Sequence, residues 1–145
     1  LKVGDTSRDD GAIIGPLIND KQAAKVKEQI DDAVAKGAKV LLGGGVRGRF
    51  VEPTILLGVT PQMKVYQEET FGPVVPVIPF RTDDEAIAIA NDTEYGLSSG
   101  VMTRDEARGL RIASRLDTGM CHINCSSVND EPHVPFGGSK ASGLG

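Results

Sequence analysis

The side chains of this chain that could do chemistry fall in two stretches: Glu68, Glu69 and Phe71 in the first, and Cys121, His122, Cys125, Asp130, Glu131, His133 and Phe136 in the second. Two neighbouring carboxylates could work as acid and base, or one could hold hydroxyl groups, because a carboxylate offers acceptors only. A cysteine beside a histidine could act as a nucleophile, and two of each could bind a metal. Gly43-Gly44-Gly45 and Gly138-Ser139-Lys140 raise phosphate binding as a third chemistry.

Spacing thins these options. Adjacent residues in extended chain face opposite ways, so Glu68 and Glu69 do not converge as a pair, and each alone reads as solvated surface. On a continuous strand the alpha carbons of Cys121 and Cys125 would stand about 13 Å apart at about 3.3 Å per residue, beyond disulfide reach, so a bridge requires a bend at Asn124. The histidines and cysteines match no zinc spacing, and a free cysteine is ordinarily a small buried hydrophobe. No catalytic residue and no metal ligand is therefore assigned within the chain. Thiol redox chemistry at the two cysteines would require a depressed thiol pKa. The glycine triplet precedes no helix pattern and reads as a turn, and Gly138-Ser139-Lys140 misses the P-loop spacing.

Composition narrows the partners. With 145 residues, 39% of them hydrophobic, one domain over 1–145 with one core is expected. A formal charge of -4 and a pI near 5.1 give no footprint for nucleic acid or an anionic membrane. The absence of a long apolar run or signal-peptide pattern, and two cysteines only, lead to the expectation of a reducing, cytoplasmic location.

The elements that must position these residues alternate. A helix is predicted from Asn19 or Asp20 to about Lys36, with Val26, Ile30 and Val34 on its buried face. A short strand comes next, over 39–42. Thr82-Asp83-Asp84-Glu85 and Thr103-Arg104-Asp105-Glu106 are capping boxes that open two further helices, the second reaching about Asp117. Strand candidates at 74–80, 98–102 and 120–124 surround them. The order predicts an α/β fold with a parallel βαβαβ sheet, although Pro76 and Pro79 weaken the first strand. Ligands bind such sheets at the carboxyl ends of strands, which singles out the turn after Met102 and the loop after Asn124.

Seven landmarks in order resemble the NAD(P)-dependent aldehyde dehydrogenase superfamily, in the carboxyl-terminal part of its catalytic domain. They are Gly15-Pro16-Leu17-Ile18; Gly37-Ala38-Lys39 with the glycine triplet; Glu52-Pro53-Thr54-Ile55-Leu56; Glu68-Glu69-Thr70-Phe71-Gly72-Pro73-Val74; Asn91-Asp92-Thr93-Glu94-Tyr95-Gly96-Leu97-Ser98-Ser99; Ile123-Asn124; and Pro135-Phe136-Gly137-Gly138, continuing to Leu144-Gly145.

The resemblance implies that Glu69 accepts hydrogen bonds from both hydroxyls of the nicotinamide ribose and that Phe71 walls the ring, with NAD or NADP as cofactor. It implies that Phe136 lines the aldehyde channel and that the loop beginning at Asn124, with Ser127, meets the substrate. In that family a cysteine thiolate attacks the aldehyde to give a thiohemiacetal, hydride passes to nicotinamide, and water releases the acid. The nucleophile, general base, oxyanion asparagine and dinucleotide fold lie upstream of the counterpart of Leu1, so the isolated chain is expected to be inactive and the complete enzyme to be a homo-oligomer. The loop from Met120 to Pro132 resembles the benzaldehyde, vanillin and salicylaldehyde dehydrogenase group, which implies an aromatic aldehyde. Succinic semialdehyde or another aliphatic aldehyde is the alternative substrate, and a non-catalytic binding or assembly module is the alternative function.

Overall fold

In the computed structural model, which describes residues 1–9 and 11–143, Asn19 opens the first helix by accepting a hydrogen bond from the Gln22 amide at 2.8 Å. Leu144 and Gly145, the end of the last sequence landmark, lie outside the described residues. The chain divides into two compact units, Leu1–Pro79 and Phe80–Gly145.

In the first unit, helix α1 (Asp20–Ala35) buries Ala23, Val26, Gln29, Ile30 and Ala33. Val34, expected on this face, is 46% exposed. Each four-residue step advances about 40° around a helix of 3.6 residues per turn, so two steps from Val26 leave the face and Ala33 takes the place. Strands β1 (Lys39–Leu42), β2 (Val46–Arg47), β3 (Phe50–Val51) and β4 (Thr54–Leu57) come next. β2 and β3 form an antiparallel hairpin, and β1 runs antiparallel to β4. The turn out of β1 needs its glycines: Gly43 and Gly44 have φ of 69° and 94°, and a Cβ on Gly43 would sit 2.1 Å from the Pro53 carbonyl oxygen. A short helix α2 (Lys64–Gln67) then leads to β5 (Val74–Val77), parallel to β4. Leu56, Val59, Met63, Val65 and Val74 complete the core against α1.

The second unit opens with helix α3 (Asp83–Asn91), capped by Thr82 Oγ1 accepting from the Glu85 amide. The return bond of the expected capping box falls one residue early, on the Arg81 amide. Strands β6 (Tyr95–Gly96) and β7 (Ser98–Val101), helix α4 (Glu106–Ala113), and strands β8 (Met120–Ile123) and β9 (Ser139–Lys140) complete it. β7 and β8 are parallel, and β6 pairs antiparallel with β9. The cap of α4 is Asp105, not Thr103: Asp105 accepts from the Arg108 amide while Thr103 accepts from the Asp105 amide. The helix ends at Ala113, short of Asp117. Arg108 donates from its guanidinium to both oxygens of Asp83, joining α4 to α3 and holding the Asp83 carboxyl below its usual range.

The α/β class stands: helices alternate with parallel and mixed strands. Of the three expected parallel strands, β7 and β8 pair with each other, and β5 pairs in parallel with β4, in the mixed order β1-β4-β5. β5 ends at Val77, before Pro79, and as the last strand of its sheet it tolerates the missing amide of Pro76. Among the described residues no helix is long and apolar enough to cross a membrane.

The short α2 has no cap of its own at Met63; Asp32 supplies it from α1. One Asp32 oxygen accepts from the Lys64 amide at 2.8 Å, and the other pairs with Lys36 at 2.7 Å. The Lys36 side chain first, and the Lys64 amide second, hold the Asp32 carboxyl below its ordinary value. A depressed folded pKa adds stability that is present above the unfolded value and lost as pH falls through the folded one. Asp32→Asn is therefore expected to lower stability at neutral pH and to flatten the loss that sets in as pH falls below the ordinary carboxylate value of 3.8, measured by urea denaturation at neutral and acidic pH.

Candidate functional site

α2 ends at Gln67, and Glu68 leaves it with extended backbone, φ -114° and ψ 139°. Residues 68–72 run along α1 and are held there by two glutamines. Gln29, 1% exposed, donates from Nε2 to the Glu68 carbonyl at 3.4 Å and accepts at Oε1 from the Thr70 hydroxyl at 3.0 Å. Two turns earlier on the same helix, Gln22 Nε2 donates to the Phe71 carbonyl at 3.0 Å. Gly72 lies so close to the helix that a Cβ there would meet Val26 Cγ2 at 2.8 Å.

The expected site residues of this unit sit on that held backbone. Glu69 is exposed, and its carboxylate makes no hydrogen bond or ion pair among the described residues. Phe71 is 67% exposed, leaving its ring free to cover a ligand. Glu68 is occupied otherwise, paired with Lys25 at 3.7 Å, in keeping with its reading as surface. Sequence reasoning singles out neither Gln22 nor Gln29. The available signal is Gln29 itself, a polar residue three positions after Val26 on the apolar stripe.

In the second unit the loop after β8 starts with a bend. Asn124 adopts φ 56°, its amide donates to the Val101 carbonyl, and its Oδ1 accepts from the Thr103 amide at 2.8 Å. The bend that a local disulfide would need is present, yet Cys121 and Cys125 are free thiols, and Cys125 Sγ lies 3.3 Å from Asn129 Nδ2. Ser127 is exposed and anchored through its carbonyl, which accepts from Ser98 Oγ at 2.6 Å. Phe136 is 63% exposed. Behind it the backbone is tight: a Cβ on Gly119 would fall 1.9 Å from the Gly137 carbonyl oxygen.

Gly138-Ser139-Lys140 is a clasp. Ser139 Oγ donates to the Asp117 carbonyl at 3.0 Å, and Lys140 Nζ donates to the carbonyls of Asn91 and Thr93 at 2.9 and 3.2 Å. His122 is half-buried on β8, its Nε2 3.6 Å from Asp130 Oδ1, and His133 is exposed in the loop. Glu69 and Phe71 thus share one segment of the first unit, and Ser127 and Phe136 share one loop of the second.

The sequence profile of the aldehyde dehydrogenase family matches residues 1–145. A benzaldehyde dehydrogenase of Bacillus subtilis is 49% identical over all of the chain, and a glutarate-semialdehyde dehydrogenase of Pseudomonas putida is 50% identical. The structure of a salicylaldehyde dehydrogenase from Pseudomonas putida G7, complexed with salicylaldehyde, superposes on the whole chain with TM-score 0.95 at 44% identity. The chain spans about 30% of the length of each of these relatives. An aldehyde dehydrogenase of Mycobacterium tuberculosis, 43% identical with TM-score 0.91 over all of the chain and 30% of its own length, was solved with NAD+.

The contact of Gly72 with Val26 gives a direct test of how tightly the segment is held. Gly72→Ala is expected to cost about 1–3 kcal/mol by overpacking. Val26→Ala added to it should cost less than the sum of the two single changes, because it removes the clash. Denaturation of the two single variants and the double variant measures the coupling.

Proposed function

The chain belongs to the aldehyde dehydrogenase family, and from that premise we propose that it supplies the ribose-binding carboxylate and a wall of the substrate channel to an NAD(P)-dependent enzyme that oxidises an aldehyde to its carboxylic acid. One observation carries the reading: Glu69 has a carboxylate with no partner among the described residues and sits between two residues that bond to Gln29, Glu68 through its carbonyl and Thr70 through its hydroxyl. An acceptor-only group that is free yet held fits a pair of ribose hydroxyls. Nicotinamide, when bound, accepts the hydride.

In this reading the chain's own residues bind and orient. Glu69 takes the two ribose hydroxyls, and Phe71 covers a face of the ring and keeps water from it. Ser127 and Phe136 meet the incoming aldehyde, with Phe136 giving apolar area to an aromatic ring. The nucleophile comes from outside these residues, and the isolated chain is inactive.

An aromatic aldehyde suits the loop better than a carboxylate-bearing one. Residues 124–136 contain no lysine or arginine, and Asp130 and Glu131 would repel a second carboxylate. The identity to a glutarate-semialdehyde dehydrogenase favours the second reading, an aliphatic semialdehyde.

Two measurements test the proposal. The isolated chain incubated with benzaldehyde and NAD+ should give no change in nicotinamide absorbance, whereas turnover that disappears on Cys125→Ala would overturn the assignment of chemistry to residues outside the chain. In the complete enzyme, Phe136→Ala should lower kcat/KM for benzaldehyde by about 1–3 kcal/mol of lost apolar contact and leave propanal nearly unchanged. An equal loss for both substrates would mean that Phe136 supports the fold instead of selecting the substrate.

A further inference from the structure

Gln29 and Thr54 are the buried polar residues among those described. Thr54 has a local duty: its hydroxyl donates to the Glu52 carbonyl and accepts from the Gly44 amide, closing the glycine turn. Gln29 has none within its own helix. It occupies a position on the apolar stripe of α1 where leucine or methionine would pack without the desolvation of an amide. A buried amide persists where both of its ends find partners, and here both partners flank Glu69. The nitrogen end goes to the Glu68 carbonyl and the oxygen end to the Thr70 hydroxyl. The orientation of the amide is fixed by this pairing, because a carbonyl can only accept.

The arrangement has a directional result. Glu68 leaves α2 extended, and in extended chain alternate side chains share a face. The side chains of Glu68 and Thr70 both reach α1, at Lys25 and Gln29, and the same alternation directs the side chain of Glu69 away from the helix. We infer that Gln29 is a positioning residue for Glu69: it grips the residues on either side and so sets the direction in which the carboxylate presents itself to the nicotinamide ribose. The inference rests on the proposed role of Glu69. Gln29 touches neither substrate nor cofactor. Its contribution is to hydride transfer, since a ribose held about 1 Å out of place misaligns the ring and slows the step by as much as about 100-fold.

The test uses the complete enzyme with NAD+ and benzaldehyde, read by single-turnover hydride transfer and by the cofactor Kd. Gln29→Met keeps the volume and removes both hydrogen bonds; it is expected to slow hydride transfer about tenfold while changing the Kd less than about threefold. Thr70→Val removes one bond and should slow the step by a smaller factor in the same direction. The deciding comparison is the Glu69→Gln background, where neither substitution should slow the step further, since the group being positioned is already compromised. A slowing by Gln29→Met of the same factor with and without Glu69→Gln would overturn the inference and leave Gln29 a packing residue, as would a weakened Kd with an unchanged hydride step. Should Gln29→Met fail to fold, Thr70→Val carries the same comparison and decides it in the same way. If Glu69→Gln alone leaves the hydride step unchanged, the reading of Glu69 fails, and the positioning role fails with it.

Discussion

An amide shut inside an apolar interior must have both its ends satisfied, and around Gln29 that requirement organises the first unit. α1 lays Val26, Ile30 and Ala33 against Leu56 and Val74, and in the middle of this stripe Gln29 reaches out to the segment between α2 and β5. The core and the segment are thereby joined into one structure. Leaving either end of the amide unpaired would cost about 1–3 kcal/mol, which is comparable with losing a core methyl or two. The candidate carboxylate borrows its rigidity from helix packing, although it is itself exposed.

The second unit solves its positioning problem by other means. Its buried residues among those described are Ile87, Gly96 and Gly109, so little apolar area fixes its loops. Side chains grip backbone instead. Asn91 donates to the Arg115 carbonyl and accepts from the Asp117 amide, and Ser139 and Lys140 close onto carbonyls across the unit. Such bonds are directional, each with a net worth of about 1 kcal/mol, and they set loop geometry more than they add stability.

Local chemistry is legible in the sequence wherever it is decided locally. Asn19 and Thr82 cap the helices they are expected to cap, because a short oxygen-bearing side chain meets a free amide within its own turn. The cap of α4 is ambiguous in sequence since Thr103 and Asp105 both present such oxygens, and only their contacts rank them. Strand pairing is hidden because the order of elements does not state which strand lies beside which: β4, separated from β5 by α2, is its partner. Gln29 escapes notice for a related reason, as periodicity counts a polar residue as exposed until a distant partner is known. Glu69 and Phe71 are singled out only through family resemblance; as bare residues both have the exposure of ordinary surface.

The loop that carries Ser127 is tied down by what every amino acid possesses. Ser127 is held through its carbonyl oxygen, and the chain behind Phe136 packs closely against the backbone of Gly119. The side chains at 127, 128 and 136 bear none of this restraint and stand largely in the open. Exchanging them alters what the loop touches without dismantling what keeps it in place. A scaffold so arranged keeps its shape in contacts made to its backbone, and leaves these exposed side chains open to exchange at little cost to folding.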